Sequence, residues 1–176
     1  MNTSDISILK DFQSESKALI QTLIQILEDC EGDFGKVKSL EKYGQTVDRI
    51  MGGAKSMQNA LESASPFIQS VGDYAAVCKA VGYKASQIKD NEQFYDICVA
   101  LLLDATEVLQ DLVEHLFDED QKSLKSFINQ AFLERLKWVS NIFGAEYRAS
   151  VQVQTEASPK MNQAEIDELI KKLGLD

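Results

Sequence analysis

Leu40-Glu-Lys-Tyr43-Gly-Gln-Thr-Val47-Asp-Arg-Ile50-Met-Gly-Gly-Ala54-Lys-Ser-Met57-Gln-Asn-Ala-Leu61 decides the fold of this chain. Its apolar residues recur by three and then by four positions without a break. That spacing lays them along one side of a helix, as a seam that other helices can cover. A half-buried strand would alternate every second residue, and this stretch does not. The spacing predicts a helix from about Lys36 to Ser63.

Working outward, the neighbouring segments read the same way. Upstream, a helix is expected from about Asp5 to Cys30, with Ser4 as N-cap and Gly32 just past its end. Leu9, Phe12, Leu19, Leu23, Ile26, Leu27 and Cys30 form its stripe. Downstream, Pro66 takes the favoured first helical position after Ser65. Val71, Tyr74, Cys78, Val81, Ala85 and Ile88 line that third helix. A fourth follows the turn Lys89-Asp90-Asn91 and uses Phe94, Ile97, Leu101, Val108, Leu112 and Leu116. Asp118-Glu-Asp120 marks a break, and a fifth helix is expected from about Ser123 to Phe143, before Gly144. Residues 145–160 have little to bury and read as a flexible linker. The expected class is all-α. Its architecture is an antiparallel four-helix bundle with an extra fifth helix (residues 1–144), the linker, and a short C-terminal amphipathic helix in residues 161–176.

Composition narrows the function. The chain has 176 residues, of which 44% are hydrophobic, enough for one core. Its formal charge of −10 argues against nucleic acid or an anionic membrane as partner. No apolar run reaches the roughly 18 residues of a membrane span. The first residues lack the basic and apolar regions of a secretory signal, so a cytoplasmic location is expected. Cys30, Cys78 and Cys98 fall in apolar stripes and read as small core residues in a reducing compartment. No Cys/His spacing suits zinc, and no metal or cofactor of the chain's own is expected.

The C-terminal segment carries the strongest functional signal. Asn162 and Glu165 have capping-box spacing. Ile166, Leu169, Ile170 and Leu173 form one apolar stripe, and Gly174 stops the helix. A helix this short is marginal alone in water and needs a partner, either its own body or another protein. Gln163-x-Glu165-Ile166-Asp167-Glu168-Leu169-Ile170-x-x-Leu173-Gly174-Leu175 resembles the C-terminal CheY-binding helix of the CheZ family of chemotaxis phosphatases. Gln163-Ala-Glu165-Ile166-Asp167 is also similar to the N-terminal CheY-binding peptide of the flagellar switch protein FliM. The resemblance implies that Gln163, Glu165, Ile166, Asp167, Leu169, Ile170, Leu173 and Leu175 contact a CheY-type response regulator. A helix in a groove uses this anchor spacing.

The body carries a second resemblance. Ile8-Leu-Lys-Asp-Phe12-Gln-Ser-Glu15, followed by Leu19, Leu23 and Leu27, resembles the first helix of histidine-phosphotransfer (Hpt) domains of the chemotaxis-kinase (CheA) type. Val47-Asp-Arg-Ile-Met-Gly-Gly-Ala-Lys-Ser-Met57 resembles their second, whose motif is His-x-x-Lys-Gly. Gly52 matches the family glycine, but Asp48 stands in place of the phosphorylated His and Met51 in place of the Lys. The implication is an Hpt-like bundle that keeps a receiver-docking shape without relay chemistry.

Opposite the seam of the second helix lie Glu41, Gln45, Asp48, Gly52, Ser56 and Asn59. This strip, with Gly53 beside it, is the expected docking surface. A phosphorylated receiver already holds Mg²⁺ and the acyl phosphate, so hydrolysis needs a water placed in line with phosphorus. Gln45 is the candidate to orient that water and Asp48 the candidate to contact a receiver Lys or the metal shell. The bland alternative is a solvated bundle face. The Asp-Phe-Gln-Asp-Leu-Thr-Gly-Gln motif of CheZ is absent. His115 is the only histidine and reads as a helix-end residue among acids. The expected function is chemotaxis and flagellar-motility signalling, a two-component protein phosphatase acting on a CheY-type regulator. The alternatives are a non-catalytic adaptor or competitor, which would sequester the regulator or tie it to a kinase or the motor, and a plain bundle with a self-docked tail.

Overall fold

A computed structural model describes residues 3–61, 66–118, 124–143 and 163–174. They carry α1 (Thr3–Cys30), α2 (Leu40–Ala60), α3 (Pro66–Ala85), α4 (Glu92–Glu114), α5 (Gln130–Ile142) and α6 (Gln163–Lys172), and no strand. The expected all-α class is what is observed. The linker expected over 145–160 lies outside the described residues, as do Ser65, Asn162 and Leu175.

Capping chemistry sets the boundaries. α1 ends where Gly32 takes φ 67°, a left-handed conformation that glycine adopts without strain. Asp33 then accepts the Gly35 N–H at 3.0 Å and starts a 3₁₀ turn over Phe34–Ser39. α2 therefore begins at Leu40, later than the apolar spacing predicts. It ends at Ala60 because Leu61 is extended, with ψ 130°. Asn91 accepts the Phe94 N–H at 2.9 Å and opens α4. The helix expected from Ser123 is instead a 3₁₀ turn over Leu124–Ser126, followed by α5. Asn129 accepts the Phe132 N–H at 2.8 Å and fixes that later start. An Asn at the N-cap satisfies an orphan donor, which competes with helix continuation through it.

α1 packs on α2 and α4, and α3 packs on the same two helices. The closest-packed pair is α2 with α3, and small residues make that approach possible. A Cβ on Gly82 would lie 2.7 Å from the Tyr43 ring, and one on Gly44 would lie 2.9 Å from the Tyr83 ring. Each helix thus gives a glycine to the other's tyrosine. α5 covers α4, while α6 rests on α3 and α5. With these layers on it, α3 is buried almost all round, from Phe67 to Ala85. That explains why its sequence is apolar on every side rather than striped.

Buried hydroxyls tie the elements together. Tyr43 shares a 3.0 Å hydrogen bond with Thr106, and the Tyr74 hydroxyl donates to the Ala105 carbonyl at 3.1 Å. The Tyr95 hydroxyl donates to the Cys30 carbonyl at 2.6 Å, at the loose end of α1. Gln13 does the same for α4, donating to the carbonyls of Val113 at 2.8 Å and Glu114 at 3.2 Å. Cys30, Cys78 and Cys98 are free thiols in the core. No helix among the described residues is long and apolar enough to cross a membrane.

Candidate functional site

The strip on α2 emerges from the seam's own geometry: with Tyr43, Val47, Ile50 and Ala54 turned inward, the opposite side faces out. Gln45, Gly52, Ser56 and Asn59 are exposed, and Glu41 and Asp48 are half-buried. The Gly52-Gly53 pair divides into two roles. A Cβ on Gly52 would meet nothing within 4 Å, whereas one on Gly53 would lie 2.9 Å from the Phe12 ring. Gly53 is therefore a packing glycine that lets α1 approach, and Gly52 leaves an open notch in the strip.

Asp48 is not alone. Its Oδ1 accepts from Lys79 Nζ of α3 at 2.7 Å. The Lys79 side chain is only 19% exposed, so the pair sits at the α2–α3 junction rather than out in solvent. Tyr83, one turn further along α3, is almost wholly buried. Burial pushes its hydroxyl up to about 12, reinforced by the charges of Asp48 and Glu41. The phenol stays protonated at neutral pH and remains a donor. Lys79 and Tyr83 were not among the residues expected from sequence. Their spacing by four on a helix was visible, but nothing in the sequence ties them to Asp48, which lies on a different helix. Together the strip offers a solvent-facing amide, a neutralised carboxylate and an open notch.

The C-terminal helix forms a second candidate surface. Ile170 is 4% exposed and belongs to the core, with Leu169 and Leu173 partly buried against it. Asp167, Glu168 and Lys171 face solvent. Gly174 ends the element with φ 68°. The side chains of Gln163, Glu165, Ile166 and Leu175 lie outside the described residues. Of the two partners a marginal helix can take, α6 here takes its own body. Beneath it, Lys84 of α3 has no exposed surface, and its ammonium has no hydrogen-bond partner among the described residues. Nζ stands 5.8 Å from the centre of the Phe143 ring. Burial lowers the affinity of Lys84 for its proton, and the charge of Asp167 partly offsets that.

His115 caps α4, with Nδ1 2.7 Å from the Asp111 carbonyl and Nε2 3.9 Å from Asp118. Its ring meets Phe127 edge-on, so the observed contacts are those of a helix-end residue. No cluster of three metal-ligating side chains occurs among the described residues. No protein-family model, curated protein or solved structure matches the chain.

Proposed function

We propose that this chain binds a CheY-type response regulator through its C-terminal helix and promotes loss of the regulator's phosphoryl group, in cytoplasmic control of chemotaxis or motility. The observation that carries the reading is the C-terminal helix itself. Ile166, Leu169, Ile170 and Leu173 form a single apolar stripe beside Asp167 and Glu168, in the order found in CheZ-type receiver-binding helices. Such a stripe suits a groove on a partner. Four anchors, each worth about 1.5–3 kcal/mol before ordering costs, suit a micromolar contact.

In this reading α1 to α4 are an Hpt-like four-helix bundle in which Asp48 replaces the phospho-accepting histidine. No phosphoryl group is relayed to the chain. Mg²⁺ and the acyl phosphate belong to the receiver. Gln45, exposed on α2, orients a water in line with phosphorus. The water oxygen bonds to phosphorus as the bond to the receiver's aspartyl oxygen breaks, leaving a carboxylate, inorganic phosphate and a proton released to solvent. The ion pair with Lys79 removes the repulsion that a bare Asp48 carboxylate would impose on the approaching phosphoryl group.

The same ion pair favours a second reading, a non-catalytic adaptor, because Asp48 is already engaged and less ready to hold a receiver lysine. Binding is tested first. Titrating a labelled CheY receiver domain with the full chain should give saturable micromolar binding that Leu169→Asp weakens at least tenfold. No saturable binding by any folded form of the chain, including one with the tail released, would remove both readings and leave a plain bundle.

A further inference from the structure

The face of α6 that the proposed receiver would grip is already in use. Ile170 is buried in the protein's own core, and Leu169 and Leu173 lean on the same surface of α3 and α5. One helix face cannot lie in two grooves at once. Any receiver that uses these anchors must first have the helix released, and its apparent affinity is the intrinsic one multiplied by the released fraction.

The surface that holds α6 is built to let go. A permanent helix-to-core contact would place an apolar side chain at the position of Lys84, where a Met would match the stem. Instead the ammonium is fully buried with no hydrogen-bond partner among the described residues, facing the Phe143 ring and the charge of Asp167. A buried cation with no hydrogen-bond partner among the described residues opposes burial. Undocking α6 uncovers that part of α3 and returns Lys84 to water. The ten-residue α6 also gains little helical stability of its own. Among the described residues, the apolar contacts of Leu169, Ile170 and Leu173 favour docking and the buried lysine works against it.

We infer that α6 is a self-docked latch, in which the bundle competes with the receiver for the Ile170 face and buried Lys84 keeps the latch weak enough to open. This inference rests on the proposed receiver binding and adds its regulation. Free protein holds the tail shut, and receiver binding is coupled to exposure of Lys84. Replacing Lys84 by an apolar residue should close the latch. Replacing it by an acid, which would face Asp167, should open it.

The test uses the full chain as Lys84→Met and Lys84→Glu beside the native protein. Hydrogen exchange of the amides in 163–174 reports docking, and titration of a CheY receiver domain, with and without beryllofluoride activation, reports binding. Exchange in α1 to α4 checks that each variant is folded, and Lys84→Met alone suffices should Lys84→Glu lose the fold. Lys84→Met should slow exchange in α6 roughly tenfold and weaken receiver binding by a similar factor, the scale of relieving one unsatisfied buried polar group. Lys84→Glu should do the reverse. Tail exchange that is the same in all folded variants overturns the latch, whatever the receiver does. Tail exchange that shifts while receiver affinity stays constant overturns the competition. Tail exchange that shifts with no receiver binding even in a folded, opened variant overturns the receiver reading, and the regulatory role with it.

Discussion

Gly82 and Gly52 both sit inside helices, yet they should answer substitution with opposite signs. An alanine at 82 would press its Cβ to 2.7 Å from the Tyr43 ring, whose hydroxyl is bonded to Thr106. The ring cannot swing aside without losing that bond, so Gly82→Ala should destabilise the fold by about 1–3 kcal/mol. An alanine at 52 meets nothing, and a helical Gly-to-Ala change in open space should stabilise by about 0.5–1 kcal/mol. Urea unfolding of the two variants checks both signs. The sequence drew attention to Gly52-Gly53 because two adjacent glycines in a helix are costly. It gave no reason to single out Gly44 and Gly82, because what gives them their role is a tyrosine across the α2–α3 contact. Residue-scale packing of this kind depends on distant partners, which a one-dimensional pattern does not hold.

At the scale of elements, periodicity carried most of the information. Most of the α2 seam was legible: Leu40, Tyr43, Val47, Ile50, Ala54 and Leu61 are buried, and Met57 is partly so. In α1 the buried face is centred slightly to one side of the stripe that the apolar spacing predicts. Ile20 and Ser16 are buried, while Ile26 is only partly so. Boundaries were less legible at α2 and α5, because Asp33 and Asn129 act through side-chain hydrogen bonds that compete with helix formation. The ion pair that joins the candidate site to α3 was not legible at all. It should contribute little to stability. With the Asp48 side chain 45% exposed, Asp48→Asn should change the unfolding free energy by no more than about 1 kcal/mol. Gln13 is a sharper case, since its amide serves two orphan carbonyls at the end of α4. Gln13→Ala should cost about 0.5–1.5 kcal/mol and speed amide exchange in the last turn of α4, with α2 and α3 little affected.

For the whole molecule, the buried phenols and thiols set the response to alkali. Burial raises Tyr43 and Tyr74 well above the usual 10.0, and lifts Cys78 from 9.0 to about 12. Each group is held protonated by the fold and ionises more easily when unfolded. Their contribution is therefore fully present below about pH 9 and is lost as pH rises from there through the folded values. The urea midpoint should stay level from pH 7 to 8.5 and fall steadily above 9, with the three thiols closed to alkylation until the fold opens. Lys84 has the opposite sign. Its affinity for the proton is lowered in the docked state, so its opposition to docking eases as pH climbs toward 10.5. Only the seat of α6 should show that trend. The all-helical class and the amphipathic tail were visible in the sequence, whereas the place where the tail rests was not, since both of its possible partners demand the same apolar stripe.

The measurement that bears most directly on the account is the decay of phosphoryl from a CheY receiver in excess Mg²⁺, with the full chain at catalytic concentration. Native protein should shorten the phosphoryl lifetime with multiple turnovers. Gln45→Ala should remove most of that acceleration, on the order of a hundredfold for the loss of a group that positions the water, while leaving receiver affinity in place. A lifetime unchanged by the native chain, at concentrations where the receiver is bound, would contradict the phosphatase reading and leave the adaptor.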